Sequence, residues 1–145
     1  MRIRYVKIRN VKDPGYGSKG SAGIDFYVPN DLISVGIYPG DSILIPSGIK
    51  VELPDDTALI AFNKSGVCTK QFLQVGACVV DSDYRGEIHL HVFNYSNQIQ
   101  YIDPGQKLVQ FVLLPYHQAK LLETTEESFS STQRGEGGFG STGIL

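Results

Sequence analysis

Apolar and polar residues alternate along this chain in short runs, with the period of strands rather than of helices. Ile3 and Tyr5 fall on one face of an opening segment, with Arg2 and Arg4 on the other. Ile24, Phe26 and Val28 share a face and leave Asp25 opposite. Pro39-Gly40-Asp41 marks a turn before Ile43 and Ile45, and Ile49, Val51 and Leu53 then alternate up to Pro54. Residues 58–62 are apolar. A second apolar run, 75–80, enters a tight polar turn, and Ile88, Leu90 and Val92 leave it as an alternating strand, which predicts a β-hairpin. Beyond Asp103-Pro104-Gly105, residues 107–114 are apolar on both faces and broken by Gln110, as expected of a strand covered on both sides or lying at a subunit interface. No long stretch carries the helical period, so the pattern predicts an all-β fold of short strands and turns. From Pro115 the character changes. Residues 117–122 suit one more strand, 123–133 lack apolar periodicity and read as an extended linker, and the tail is rich in glycine. The expected division is a β domain over 1–122 and a linker with a C-terminal arm over 123–145.

Composition narrows the picture. A length of 145 residues suits one domain with its own core. The net charge of −2 gives no global attraction for nucleic acid, so any anion has to be gripped by local cations. No apolar run is long enough to span a bilayer, and Met1-Arg2-Ile3-Arg4 leads into a strand rather than a signal peptide. The expectation is a soluble cytoplasmic protein with no membrane or nucleic-acid partner. Cys68 and Cys78 have no metal-binding or Cys-x-x-Cys spacing and read as reduced thiols.

The chemistry concentrates around Val75-Gly76-Ala77-Cys78-Val79-Val80-Asp81-Ser82-Asp83-Tyr84-Arg85-Gly86-Glu87-Ile88. A turn that only reverses the chain asks for Asn-Gly or Asp-Gly, so two carboxylates and a phenol at its tip exceed the structural need. Asp81 and Asp83 are both candidate bases by spacing, and either also suits a turn acid bonded to its own backbone. Asn63-Lys64-Ser65-Gly66 sets a cation, a hydroxyl and a glycine beside free backbone, a group able to hold phosphate but also an ordinary turn. His89 and His91 share a strand face with Glu87 and, with His117, have the residue types of metal ligands. They read more simply as the polar face opposite Ile88, Leu90 and Val92. The tail Arg134-Gly135-Glu136-Gly137-Gly138-Phe139-Gly140-Ser141-Thr142-Gly143 nearly spells a phosphate-binding P-loop, but it lacks the lysine and has no strand before it or helix after it. It has instead the makings of a closing flap: an arginine and glycine amides for phosphate, two hydroxyls, and an aromatic ring to stack on a base.

Five segments in order resemble the signature motifs of the trimeric dUTP pyrophosphatases (dUTPases). They are Ser21-Ala22-Gly23-Ile24-Asp25-Phe26, Asn63-Lys64-Ser65-Gly66-Val67, the stretch from Val75 to Asn94, Gly105-Gln106-Lys107-Leu108-Val109-Gln110-Phe111, and the glycine-rich tail, together covering nearly the whole chain. The resemblance implies a jelly-roll type β-barrel with an extended C-terminal arm, assembled as a homotrimer whose three active sites are shared between subunits. It also implies hydrolysis of dUTP to dUMP and pyrophosphate, which limits uracil in DNA and supplies dUMP for dTMP synthesis. Asp81 takes the position of the acid that activates water. Lys64, Ser65, Gly66, Gln110, Arg134, Gly138, Ser141 and Thr142 take those of the phosphate-binding groups. Tyr84 matches the tyrosine that packs on deoxyribose and excludes a 2'-hydroxyl, Phe139 the ring stacked on the base, and Cys78 and His89 stand in the base pocket where some relatives have glycine. Mg2+ is the implied cofactor, held by the triphosphate, with Asp25 acting through bound water. The family usually has arginine at the position of Lys64; lysine keeps the charge without the bidentate fork. A dCTP deaminase of the same fold and a dUTP-dependent regulatory binding protein are the alternatives, the first disfavoured by the Tyr84 turn and the complete tail.

Overall fold

A computed structural model describes residues 1–139. In chain order the strands are β1 (Arg4–Lys7), β2 (Gly15–Tyr16), β3 (Ile24–Tyr27), β4 (Val35–Ile37), β5 (Ser42–Pro46), β6 (Ile49–Glu52) and β7 (Thr57–Phe62). A short helix, α1 (Ser65–Gln71), precedes β8 (Leu73–Val75), β9 (Val79–Val80), β10 (His89–Asn94), β11 (Gln100–Ile102) and β12 (Lys107–Pro115). The fold is all-β, as the alternation predicts. No described helix is long and apolar enough to cross a membrane.

The strands fall into a five-stranded sheet ordered β2-β3-β12-β7-β9, a three-stranded sheet β5-β10-β8, and two pairs, β1-β6 and β11-β4. β12 lies between β3 and β7, and its inner residues Leu108, Val109 and Phe111 are buried, which is why residues 107–114 read as apolar on both faces. Phe111 packs on Phe26 of β3 with ring centroids 4.7 Å apart. Ile88, Leu90 and Val92 are buried together and β10 turns its alternate face outward, in agreement with the sequence pattern.

Three features differ from expectation. The hairpin of residues 75–88 is not a tight one. Its arms are β8 and β10, paired through Val75↔Val92 and Leu73↔Asn94, and the chain between them leaves the sheet to lay β9 against β7. The apolar Val79-Val80 pair finds a free edge on the neighbouring sheet, where Val80 is buried, rather than on β10. The second difference is α1, seven residues long, whose Val67 packs on the core. Phe72 closes it in the left-handed conformation at φ 52° and turns the chain into β8. Third, residues 117–122 form no strand. Both edges of β12 are already occupied by β3 and β7, the last tie is Tyr116 N–H to Asp56 O at 3.0 Å, and Leu121 and Leu122 lie exposed beyond it. One turn of 3-10 helix, Glu126–Ser128, interrupts the linker.

Candidate active site

Pairing with β7 fixes the wall of the first candidate site. Val79 and Val80 sit opposite Ile60 and Leu59, and Ala61 N–H donates to Cys78 O at 2.7 Å, so residues 78–80 are held as strand up to Asp81. The chain then turns, with Tyr84 N–H donating to Asp81 O at 3.2 Å. Arg85 staples this turn from inside its own loop, its Nη1 donating to Ser82 O at 2.7 Å and to Tyr84 O at 3.1 Å. Tyr84 Oη donates to Glu87 O at 2.9 Å, and the Glu87 carboxylate Oε1 accepts from Gly48 N–H at 2.7 Å, so Glu87 holds the phenol through its backbone and the neighbouring turn through its side chain. The result is a pocket of about 190 Å³ lined by Cys78, Asp81, Tyr84 and His89, with Val80 and Phe111 among its apolar walls. Asp81 lines it and Asp83 does not, which separates the two carboxylates that spacing alone left equivalent. Both are exposed on the turn.

Gly86 is required here by a close approach. A Cβ on it would lie 2.3 Å from Tyr84 Oη and 2.4 Å from Tyr84 Cζ. Gly86→Ala is therefore expected to lift Tyr84 off Glu87, lowering stability by about 1–2 kcal/mol and raising KM for whatever occupies the pocket that Tyr84 lines. Thermal melting and steady-state kinetics on the one variant check both.

A second group forms where β3, β7 and β12 meet. Register places Gln110 opposite Asp25 on one side and Phe62 on the other. Asp25 is not solvated: it is 4% exposed and ion-paired to both Lys64 and Lys107, the latter at 3.0 Å. Burial pushes its carboxyl up, but hydrogen bonds and charge from Lys64 and Lys107 outweigh burial and hold it below the usual carboxylate range. The hydrogen bond to Asp25 raises Lys107 correspondingly. Lys107 is a residue the sequence reading missed. The signal was there in principle, because a buried acid on a core strand needs a cation in register, and Lys107 opens the strand paired with β3. Gln110 Nε2 donates to Asn63 O at 2.8 Å, and Asn63 Oδ1 accepts from Val75 N–H at 2.8 Å, so these two bonds tie Asn63-Lys64-Ser65-Gly66 to β12 and β8. Ser65 and Gly66 open α1, whose first amides have no partner within the helix. An open void of about 680 Å³ beside them is lined by Lys64, Gly66, Lys70 and Lys107. Three lysines against one lining carboxylate, Asp103, leave the void net positive, which suits an anion.

One copy of the chain does not bring these two groups together. Val80 lies opposite Leu59, which puts Asp81 beside the early part of β7, whereas Lys64 follows its far end. At ~3.3 Å per residue the separation along the strand is about 20 Å, too far for both to act on one phosphate. The arm stands apart as well. Arg134 Nε donates to Gly137 O at 2.7 Å within its own turn, Gly138 follows it, and Phe139 is fully exposed. Ser141 and Thr142 lie outside the described residues.

Among the described residues no three His, Cys, Asp or Glu side chains cluster as a metal cage. With His91 accepting from Ala77 N–H and His89 Nδ1 against Glu87 O at 3.0 Å, the histidines are engaged with backbone. Among the described residues the one buried carboxylate is Asp25, paired to two of the lysines that line the cationic void. Such a donor set fits Mg2+ carried in by phosphate oxygens, which needs few protein ligands, and not an ion held by protein alone.

The dUTPase family model matches residues 9–143. The deoxyuridine 5'-triphosphate nucleotidohydrolase of Fusobacterium nucleatum is 35% identical over 145 residues, covering 99% of this chain and 97% of that protein. That of Chlamydia pneumoniae is 38% identical over 132 residues, 90% of each. Among solved structures, the Staphylococcus bacteriophage 80alpha dUTPase with dUpNHpp superposes with a TM-score of 0.86 at 22% identity, over 99% of both chains. A mutant dUTPase from phage phi11 of S. aureus, which coordinates a structural Mg(II) ion, gives 0.76 at 20% identity over 89% of this chain and 100% of that one.

Proposed function

The chain belongs to the dUTPase family, and on that footing we propose that it hydrolyses dUTP to dUMP and pyrophosphate in the cytoplasm, as a homotrimer of jelly-roll subunits. The observation that carries the reading is the pocket that gathers Cys78, Asp81, Tyr84 and His89 from one loop and the start of β10. It sets a carboxylate beside apolar walls, Val80 and Phe111 among them, in a volume of about 190 Å³. The phenol of Tyr84 is braced against Glu87 O, where it meets the sugar and leaves no room for a 2'-hydroxyl. The separation of Asp81 from Lys64 along β7 supports the trimer, because the base-side loop of one subunit then completes its site with the cationic void of another.

In the reaction Asp81 accepts a proton from a water as that water forms its bond to the α-phosphorus. The bond from the α-phosphorus to the bridging oxygen breaks, and the electron pair leaves on pyrophosphate. Lys64, Ser65, Gly66 and Gln110 from one subunit and Arg134 and Gly138 from the arm of another stabilise charge on the phosphate oxygens, with Ser141 and Thr142 as further donors. Phe139 closes over the base and shields the site from bulk water. Mg2+ carried in by the triphosphate would supply charge neutralisation at the phosphate oxygens, and Asp25, the buried carboxylate paired to Lys64 and Lys107, would be the residue that faces it through water.

Pyrophosphate release from dUTP, dTTP, dCTP and UTP, each with Mg2+, tests the reading. The expected result is release from dUTP at least a hundredfold faster than from the others. Equal rates on UTP would remove the role given to Tyr84, and ammonia release from dCTP would replace the proposal by a deaminase.

A further inference from the structure

His91 takes part in none of the chemistry above, yet it holds the pocket wall. It lies on β10, next to the Val75↔Val92 pair, and accepts two successive backbone amides: Gly76 N–H on its carbonyl at 2.9 Å and Ala77 N–H on its ring Nδ1 at 2.9 Å. Ala77 lines the pocket, and Cys78 is pinned from the other side by Ala61 N–H. The Ala77-Cys78 backbone is thus suspended between β7 and the imidazole. The ring is seated too. Phe93 packs on it at 4.8 Å, and a Cβ on Gly76 would fall 2.2 Å from Nδ1 and 2.5 Å from the Phe93 ring, so Gly76 is the residue that lets the ring reach the amide.

A backbone amide can only donate. His91 Nδ1 must therefore present its lone pair, which leaves the ring neutral with its proton on Nε2. Protonation turns Nδ1 into a donor facing a donor, and the contact with Ala77 is lost. The neighbouring strands β5 (Ser-Ile-Leu-Ile-Pro) and β8 (Leu-Gln-Val) bring no titratable group to the ring. The ionisable groups nearby are His89 and Glu87 leading into the same strand, Cys78, Asp81 and Tyr84 in the pocket, and Tyr95, whose ring lies 6.1 Å from Phe93.

We infer that His91 is a positioning residue for the nucleobase: its neutral imidazole holds the Ala77-Cys78 wall in place, and its protonation slackens the pocket so that substrate affinity falls in mildly acidic solution. This rests on the dUTP reading of the pocket.

The test is kcat and KM for dUTP from pH 5.5 to 8 in the wild type, His91→Asn and His91→Phe. Asparagine keeps an acceptor near the Nδ1 position that does not titrate, whereas phenylalanine keeps the ring and removes the acceptor. In the wild type KM is expected to rise about fivefold at the acid end, the worth of one hydrogen bond, with kcat changing much less. His91→Asn is expected to keep the low KM and flatten its pH dependence, and His91→Phe to show the raised KM at every pH. A His91→Asn profile that still tracks the wild type, or a His91→Phe KM equal to wild type at pH 8, overturns the proposal. Nitrogen NMR of the ring at pH 8 gives a readout independent of turnover: the Nε2-protonated tautomer is expected, and the other tautomer overturns it. Wild type inactive on dUTP at pH 8 defeats the functional reading itself, a failure distinct from an active enzyme whose KM ignores His91.

Discussion

Asp81→Asn is expected to lower kcat for dUTP about a thousandfold while KM changes less than about threefold. The side chain lines the pocket and is exposed, and its carboxylate makes no hydrogen bond among the described residues, so nothing structural depends on its charge. Asparagine has the same shape and can still orient a water through its amide, but it cannot take the proton that the water loses on attacking phosphorus. The loss therefore falls on the chemical step and leaves binding nearly intact. Thermal melting of the variant is expected to match the wild type. Asp83→Asn is the internal control: Asp83 is off the pocket wall, and its replacement is expected to cost less than about threefold, within the range of a surface change. A reversal, with Asp83 carrying the larger loss, would move the base to the other carboxylate. An unaffected kcat in both would require the water to be activated elsewhere.

How legible the molecule was depended on what each residue pattern encodes. Alternation encodes which face is covered, and so Ile24, Phe26 and Val28, the Ile88 to Val92 run and the doubly apolar β12 were readable as strands. It does not encode which edge a strand finds. Val79 and Val80 are apolar on either partner, and only the open edge of β7 decides that they leave β10. That choice has the largest functional consequence, because it carries Asp81 to the opposite end of β7 from Lys64. The resemblance placed the two in one site assembled from different subunits; strand register sets them apart within one chain. The helix at Ser65–Gln71 was hidden for a different reason. Ser-Gly-Val-Cys-Thr-Lys-Gln has weak intrinsic helix preference and one apolar anchor, Val67, so tertiary packing and not propensity forms it. Alternation along β3 set Asp25 opposite Ile24, Phe26 and Val28 but could not show that β3 is covered on both faces, where the acid survives through two lysines distant in sequence. Lys107 and His91 were invisible for the same reason. Their roles lie in a partner across a sheet, not in their neighbours along the chain.

The two lysines on Asp25 make its removal the most costly structural change expected outside the hydrophobic core. Asp25→Asn leaves Lys64 and Lys107 facing each other across an amide. Breaking a fully buried ion pair costs about 3–5 kcal/mol, and the solvent reached by the Lys107 and Lys64 side chains, 46% and 21% exposed, screens the residual repulsion, so a loss of about 2 kcal/mol is expected. Its pH dependence identifies the cause. The folded state holds the Asp25 carboxyl below its ordinary range, so the stabilisation is present above the unfolded carboxyl value of about 4 and disappears as pH falls through the lower folded value. Lys107 is raised, so its share is complete below the ordinary lysine value of about 10.4 and fades only as pH climbs through the higher folded one. Urea unfolding of wild type and Asp25→Asn should therefore differ by a constant amount from about pH 5 to pH 9, converge in acid, and narrow in strong alkali only by the share of Lys107. A difference that persists undiminished in strong acid would mean that the amide fails through packing and not through charge. Function separates the same two causes. Lys64 released from Asp25 has no fixed position in the cationic void, so phosphate affinity falls even though a positive charge remains nearby. Lys107→Met, which leaves Asp25 with Lys64 alone, tightens that pair instead, holding Lys64 away from phosphate. Both substitutions are thus expected to raise KM for dUTP, and because the Asp25–Lys64 pair is largely buried, added salt should relieve neither defect.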